Sequence, residues 1–332
     1  MKRVAALIYI GIMLISLPFY IFMLSNLTFL PILSIVFVMG IYLLVKGSDY
    51  FVEGAASIAT HKKVSQHTIG LTLVALATSL PEFAVSTIAS FSHHPDTSWG
   101  NVVGSNIANI GLVLGTAAVL MPLVLSKHIK KDVGVLVVIT AILFFLSLVF
   151  GEVLWWMGIL FILIYVLYLW EIRGRKEEIE EVEIEHSWLW SWAYTIFGAL
   201  GIVWGARIVV DSAIHIAIVL NIPEIVIAIT AVAVGTSLPE LVTSVMAALK
   251  KKYGIAVGNV IGSNIFNILI VLGASALLNP IIISPKDMLE NMIFLSIFTV
   301  AAALMCLKKN IRRWEGIALI LLYSIFLIFL II

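Results

Sequence analysis

The chain has 332 residues, of which 62% are hydrophobic and 12% are charged, with a formal net charge of +1. A soluble domain carries about 25% charged residues, so the composition excludes an ordinary soluble protein and indicates a polytopic membrane protein. The near-zero net charge gives no indication of a nucleic-acid partner. The single cysteine, Cys306, excludes an internal disulfide and a cysteine-based metal cluster.

The apolar runs are long and continuous and lack the two-residue alternation of a membrane barrel, which predicts helices. Since a span needs about 20 apolar residues, the pattern predicts eleven spans. They lie at 4–24, 30–58, 67–92, 99–122, 133–150, 153–170, 188–219, 225–249, 254–279, 288–307 and 314–332. The first, after Lys2 and Arg3, has the charged start of a signal peptide. No small-residue cleavage site follows it, which favours a retained extra helix.

The distribution of basic residues predicts the orientation. With the N-terminus inside, the predicted cytoplasmic segments hold 17 of the 20 Lys and Arg residues, and Lys286 alone lies in an outer loop. Short cytoplasmic loops are enriched in Lys and Arg. We therefore expect a multi-pass protein of the cytoplasmic (plasma) membrane, with its N-terminus inside and its C-terminus outside.

One segment occurs twice. Residues 70–115 align with 228–273 at a constant offset of 158, with 22 identities in 46 positions, so the chain contains an internal duplication. Both copies carry Thr-Ser-Leu-Pro-Glu, followed by Gly-Ser-Asn-x-x-Asn. The copies start five predicted spans apart, an odd number, so they cross the membrane in opposite directions. Such inverted repeats build secondary transporters, with the substrate site near the midplane.

This pattern predicts an all-α, inverted-repeat transporter of five plus five spans with one extra N-terminal helix. The predicted parts are the extra helix at 1–28, the first repeat at 29–173, an acidic cytoplasmic linker at 174–187 and the second repeat at 188–332. Six glutamates in the linker are typical of a solvated segment. The alternative interpretation of the linker is a weak regulatory cation site.

The first repeated motif combines a helix break with a carboxylate. Pro81 and Pro239 lack a backbone N–H, so carbonyls one turn earlier lose their helical partners. In hydrocarbon such a break survives where it lines a cavity. Glu82 and Glu240 follow directly, and a carboxylate within a span is a functional-site candidate by default. Hydroxyl groups accompany each break, from Thr78, Ser79, Thr236 and Ser237.

The second motif places a serine and an asparagine on one helix face. Ser105 and Asn109 lie four residues apart, as do Ser263 and Asn267. We expect these four to face the ion path, and we expect Asn106 and Asn264 to form hydrogen bonds between helices instead. Carboxylates with carbonyl and hydroxyl oxygens form a hard-cation site, which suits Ca²⁺ and Na⁺ better than Mg²⁺.

The paired motifs resemble the α-repeats of the cation/calcium antiporter superfamily, closest to prokaryotic and archaeal sodium/calcium exchangers. The resemblance covers residues 30–332. It implies that Glu82 and Glu240, with the backbone oxygens of Thr78 and Thr236, bind Ca²⁺. It also implies flanking Na⁺ sites and a central site, built from Ser79, Ser105, Ser237, Ser263, the carbonyls of Ala75 and Ala233, and Asn109 and Asn267.

Two positions depart from the pattern of that superfamily. Ala77 stands where glycine is usual, and Asn267 stands where potassium-dependent relatives carry Asp. The second departure weakens the case for K⁺ co-transport. We expect a Na⁺/Ca²⁺ antiporter that works by alternating access. Its substrates are Ca²⁺ and Na⁺, its partner is the lipid bilayer, and we predict no cofactor, nucleic acid or obligate protein partner.

Three alternatives remain open at this point. Within transporters, a Ca²⁺/H⁺ or other cation/proton antiporter would use the same two glutamates. A passive cation channel and an intramembrane hydrolase using Glu82 and Glu240 as an acid/base pair are more remote, because neither a multi-subunit pore nor a metal-binding His motif is indicated. Among the other intramembrane charges, Asp49 and Arg207 occupy equivalent positions in the two repeats, and our hypothesis is a structural ion pair between them. The alternative is that both side chains extend toward water.

Overall fold

The computed structural model describes the backbone of residues 2–25, 30–173, 175, 186–220 and 235–331. Its helices are α1 (Lys2–Ser25), α2 (Leu30–Lys62), α3 (Gln66–Thr78), α4 (Leu80–Phe91), α5 (Pro95–Leu120), α6 (Ile129–Phe150), α7 (Trp155–Arg173), α8 (Trp188–Val219), α9 (Leu238–Leu249), α10 (Tyr253–Leu278), α11 (Pro285–Cys306) and α12 (Arg313–Ile331). Four strands of two residues each lie between helices: β1 (Leu123–Val124), β2 (Glu152–Val153), β3 (Ile281–Ile282) and β4 (Asn310–Ile311).

The described helices agree with the predicted spans. Nine of them are long and apolar enough to cross a membrane, and α3 with α4 forms a tenth, bent span. The predicted span at 225–249 falls partly on residues 221–234, outside the described part, and α9 is its remainder. The predicted linker at 174–187 also lies almost entirely outside the described residues.

The second span of the first repeat breaks where the sequence predicts. Helices α3 and α4 meet at an angle of 48°. The residue between them, Ser79, has φ −88° and ψ 9°, and Ser237 ahead of α9 has nearly the same backbone, φ −86° and ψ 4°. Pro81 and Pro239 lie in the first turn of the helix that follows. Within the described residues, the two copies therefore share the same backbone at the serine and the same start of the helix that follows.

Helices α2 and α8 pack closely along their length because glycines line their contact. A Cβ atom added to Gly54 would lie 2.6 Å from the backbone nitrogen of Thr195, and one added to Gly205 would lie 2.6 Å from that of Leu44. Such distances exclude any larger side chain without movement of the backbone. The pair therefore forms one tightly joined unit beside the rest of the bundle.

The antiparallel crossing of α2 and α8 explains why the predicted Asp49–Arg207 ion pair is wrong. It places residue 207 beside residues 40–44 of α2, well away from Asp49. Asp49 instead pairs with Lys250 at the end of α9, with 2.5 Å between Oδ1 and Nζ. Arg207 pairs with Asp211, one turn along α8, at 2.7 Å.

The extra N-terminal helix packs against this pair. Tyr9 of α1 donates its hydroxyl to the carbonyl of Leu43 in α2 at 3.2 Å. The indole nitrogen of Trp204 in α8 donates to Ser16 of α1 at 2.7 Å. Helix α1 is therefore attached to α2 and α8 by polar contacts as well as by apolar packing.

Two short strand pairs connect the repeats. Strand β1 pairs antiparallel with β4, and β2 pairs antiparallel with β3. Residues 123 and 281 differ by the repeat offset of 158, as do 152 and 310, so each pair joins one strand of each repeat. The two halves are consequently interlocked rather than placed side by side.

A buried charge network secures the end of α7. The carboxylate of Asp132 in α6 has no exposed surface and accepts hydrogen bonds from His67 at 2.8 Å and Tyr168 at 2.9 Å. Arg175 donates to both of its oxygens, at 3.1 and 2.6 Å, and also to Glu171. These bonds outweigh the effect of burial and raise the pKa of Arg175, so its guanidinium stays charged.

We expect Arg175→Met to destabilise the protein by about 3–5 kcal/mol, because removing one partner of a buried ion pair leaves the other uncompensated. Thermal unfolding in detergent measures this loss. Arg173→Met is the control, since Arg173 is exposed at the same end of α7. Equal melting temperatures for the two variants would contradict the assigned role of the network.

Candidate cation-binding site

The two glutamates of the repeated motif are buried in the interior of the bundle. Glu82 and Glu240 lie in the first turn of α4 and α9, three residues after Ser79 and Ser237. Each has 0% of its surface exposed. Ser79, in the turn ahead of Glu82, lies within hydrogen-bond distance of Glu240, so the two mirrored motifs meet at one site.

A hydrogen bond between the repeats joins the two halves of this site. Ser79 Oγ of the first repeat donates to Glu240 Oε1 of the second at 2.8 Å. The mirrored bond from Ser237 to Glu82 is not formed. Ser237 Oγ and both carboxylate oxygens of Glu82 are buried, without a hydrogen-bond partner among the described residues. Among the described residues, the Glu240 carboxylate therefore has one hydrogen-bond donor, whereas the Glu82 carboxylate has none.

Hydroxyl groups from both repeats line the same region. Thr78 Oγ1 lies 3.5 Å from Ser263 Oγ, and Ser105 Oγ lies 3.4 Å from Thr236 Oγ1. The two contacts are related by the repeat offset, and each joins the helix break of one repeat to the Gly-Ser-Asn helix of the other. The site is thus assembled across the interface of the two repeats.

Two asparagines complete the set of buried polar groups. Asn109 and Asn267 begin π-helical stretches of α5 and α10, Asn109–Leu114 and Asn267–Val271. Both are fully buried, and their amide oxygens and nitrogens have no hydrogen-bond partner in the described part of the chain. Short π-helical stretches occur frequently at functional sites, and here they begin at the residues predicted to line the centre.

These atoms require a ligand. Buried polar groups in proteins are nearly always hydrogen-bonded, and a buried charge is paired or binds a metal. Within the described residues, neither Glu82 nor Glu240 forms an ion pair with Lys, Arg or His. The carboxylate, hydroxyl and amide oxygens in this region are the type of ligand that hard cations prefer.

Comparison with known proteins identifies the family. The family model described as "Sodium/calcium exchanger protein" matches residues 32–172 and 190–332, which is most of the chain. The chain belongs to the sodium/calcium exchanger family. Helix α1 precedes the matched region.

Several relatives of the exchanger family align over nearly their whole length. The sodium/calcium exchanger MaX1 of Methanosarcina acetivorans is 34% identical over 341 residues, covering 89% of this chain and 97% of the relative. An uncharacterised membrane protein of Methanocaldococcus jannaschii is 38% identical over 292 residues, covering 87% and 95%. A solved structure of the sodium-calcium exchanger NCX_Mj superposes with a TM-score of 0.80 at 37% identity, covering 89% and 98%.

These comparisons confirm the predicted superfamily and the all-α, inverted-repeat transporter fold with its additional N-terminal helix. They also agree with the nine or ten spanning helices of the described residues. The multi-pass membrane location follows from the same evidence.

The structure brings most of the predicted site residues together. The carbonyl of Ala75 accepts hydrogen bonds from the backbone nitrogen of Ser79 at 3.0 Å and from Thr78 Oγ1 at 3.3 Å. Ala233, its mirror position, lies outside the described residues. Thr236 is half-buried. The other predicted ligands are buried, namely Thr78, Ser79, Ser105, Asn109, Ser237, Ser263 and Asn267.

The predicted interhelical hydrogen bonds of Asn106 and Asn264 are wrong, because among the described residues each side chain bonds only within its own helix. Each donates its side-chain amide to a carbonyl of its own helix, that of Val102 or Val260, at 2.7 Å. Both side chains are fully buried. Their hydrogen bonds stay within one helix, so they connect no parts of the site.

The sequence interpretation missed two asparagines that contact the carboxylate-bearing helices. The side chain of Asn101 bonds to the first turn of α4, and that of Asn259 bonds to α9 and to Thr78. Both belong to the 22 identical positions of the duplication. That identity was the available signal, but nothing in the sequence separated them from identities that serve packing.

Proposed function

We propose that the chain is a secondary antiporter of the plasma membrane that exchanges Na⁺ for Ca²⁺ by alternating access. The observation that carries this proposal is the pair of fully buried carboxylates, Glu82 and Glu240, contributed by mirrored motifs.

The charge of the site explains why the two ions compete. Ca²⁺ takes six to eight oxygens in flexible geometry and neutralises both carboxylates at once. One Na⁺ leaves a negative charge uncompensated, so more than one is needed. Because Ca²⁺ and a full set of Na⁺ require the same two carboxylates, occupancy by one excludes the other. This exclusion couples the two fluxes.

Alternating access requires part of the protein to move past the site. In our proposal the unit formed by α2 and α8 moves against the helices that hold the carboxylates. The close glycine contact between α2 and α8 supports this view, because it joins the two helices into one unit that can move as a whole. Ser48 of α2 reaches Thr243 of α9 across that boundary at 3.4 Å, so the moving unit touches a site-bearing helix directly.

The proposed membrane orientation follows the basic residues. The ends of α2 and α9 and the start of α8 lie together, where Lys62 stacks on Trp188 and Lys250 binds Glu53 at 2.8 Å. We assign this face to the cytoplasm. The N-terminus is then inside and the C-terminus outside, with the domain boundaries predicted at 28, 173 and 187.

Transport of ⁴⁵Ca²⁺ into proteoliposomes tests the function. Vesicles loaded with Na⁺ or K⁺ are diluted into medium that lacks the loaded ion, and vesicles with an acidic interior are diluted into medium of higher pH. Ca²⁺ uptake is followed in each case. We expect uptake with the outward Na⁺ gradient, and none with the K⁺ or proton gradient.

The other outcomes identify the alternatives. Uptake driven by the proton gradient alone would indicate a Ca²⁺/H⁺ antiporter. Uptake in the absence of any counter-gradient would indicate a passive channel. Empty liposomes and liposomes with the Glu82→Gln variant are the controls for leakage.

A further inference from the structure

We propose that Asn101 and Asn259 are positioning residues of the cation site, which hold each carboxylate-bearing helix against the helix that carries the Ser and Asn ligands. The inference rests on the proposed function. It concerns residues that would not themselves touch the ions.

The same clamp occurs in both repeats. Asn101 Nδ2 in α5 donates to the backbone carbonyl of Glu82 at 3.1 Å and to Ser86 Oγ at 2.8 Å. Asn259 Nδ2 in α10 donates to Ser244 Oγ at 2.9 Å and approaches the carbonyl of Glu240 at 3.5 Å. The serine is one turn beyond the glutamate in each case. Each asparagine thus bonds to the first and second turns of the helix that bears the carboxylate.

The clamp controls the distance between ligands on different helices. Asn101 lies in the same helix as Ser105 and Asn109, and Asn259 lies in the same helix as Ser263 and Asn267. When the asparagine is bonded to α4 or α9, it fixes the position of the glutamate along the helix axis relative to these Ser and Asn ligands.

Asn259 has an additional role that crosses the repeat interface. Its Oδ1 accepts a hydrogen bond from Thr78 Oγ1 of the first repeat at 3.0 Å. Because the amide nitrogen points to α9, the oxygen faces the threonine. This bond is the shortest that Thr78 Oγ1 forms, since the carbonyl of Ala75 is 3.3 Å away and Ser263 Oγ is 3.5 Å away. Loss of Asn259 therefore disturbs both repeats, whereas loss of Asn101 disturbs one.

The burial of both asparagines excludes a solvent-facing role. Asn259 is fully buried and Asn101 is 8% exposed.

The test compares Asn259→Leu with Asn264→Leu. Both asparagines are fully buried in α10, five residues apart, but Asn264 bonds to its own helix alone. Loss of a partner that orients a metal ligand typically weakens metal binding by about 10- to 100-fold. We expect Asn259→Leu to raise the KM for Ca²⁺ by that factor. We expect a smaller change in the Na⁺ concentration for half-maximal exchange, because Ca²⁺ requires both carboxylates at once.

The KM for Ca²⁺ and the maximal rate are measured in proteoliposomes. The rise in melting temperature caused by Ca²⁺ is measured on the purified protein in detergent. We expect Asn264→Leu to keep the wild-type KM and the wild-type Ca²⁺-induced rise, even if its melting temperature falls. The pair Asn101→Leu and Asn106→Leu repeats the comparison in the first repeat, with a smaller effect expected for Asn101, and it carries the test if Asn259→Leu does not fold.

Two results would overturn the inference while leaving the function intact: equal KM values for the Asn259 and Asn264 variants, or a lowered melting temperature of Asn259→Leu with an unchanged KM. Failure of the proposed function looks different, because the wild-type protein would then show neither Na⁺-driven Ca²⁺ uptake nor stabilisation by Ca²⁺.

Discussion

Glu240→Gln is expected to abolish Na⁺-driven Ca²⁺ uptake, and Glu82→Gln is expected to do the same. Each substitution removes one of the two negative charges of the site, and both glutamates are fully buried. Removing one partner of a buried charge pair costs about 3–5 kcal/mol, which corresponds to about 100- to 3,000-fold in Ca²⁺ affinity.

The stability of the same variants should change in the opposite direction. A buried carboxylate without a partner is costly, and both oxygens of Glu82 have none among the described residues. Without added cations, Glu82→Gln is therefore expected to melt at or above the temperature of the wild type in detergent. Loss of transport together with retained stability separates a ligand from a residue needed for folding.

Glu290→Gln is the matched control for these variants. Glu290 lies in α11 beside Lys286 and away from the mirrored motifs. We expect it to leave both uptake and the Ca²⁺-dependent rise in melting temperature unchanged. Full transport by either Glu82→Gln or Glu240→Gln would remove the site assignment.

Gly262→Ala is expected to reduce both stability and transport. A Cβ atom at this position would lie 2.5 Å from the carbonyl oxygen of Leu71 and 2.7 Å from its Cα. These are backbone atoms of α3, so no side-chain rotation relieves the clash. Overpacking of this kind costs about 1–3 kcal/mol or more.

The displacement also acts on the site. Gly262 precedes Ser263, whose hydroxyl lies 3.5 Å from Thr78 at the end of α3. When α10 and α3 are forced apart, this contact between the repeats lengthens. We therefore expect the KM for Ca²⁺ to rise in addition to the fall in melting temperature.

Gly134→Ala provides the comparison. Gly134 lies on an exposed face of α6, and a Cβ there meets no described atom within 4 Å. Alanine favours a helix over glycine by about 1 kcal/mol, so this variant should be as stable as the wild type or more so. If Gly262→Ala retained the melting temperature and transport rate of Gly134→Ala, the close contact of α10 and α3 would be refuted.

The spanning helices, the duplication and the two site glutamates could be predicted from the sequence alone. Hydropathy determined the spanning helices, because in a bilayer each backbone polar group must be satisfied within its own helix. The duplication at an offset of 158 identified the mirrored motifs and, through them, Glu82 and Glu240. Proline in the motif predicted the break at Ser79, since the missing N–H is a local property of the chain.

The tertiary structure alone decided which groups meet across helices. The Asp49–Arg207 pair was inferred from equivalent repeat positions, but the crossing of α2 and α8 through their glycines sets Asp49 beside Lys250 instead. The sequence likewise did not predict the bond from Ser79 to Glu240, which has no mirror image in the structure. It also did not predict the hydrogen bonds of Asn101 and Asn259 to the carboxylate-bearing helices. The physical reason is that periodicity reports which face of a helix a residue occupies, whereas the register between helices depends on how all their side chains pack.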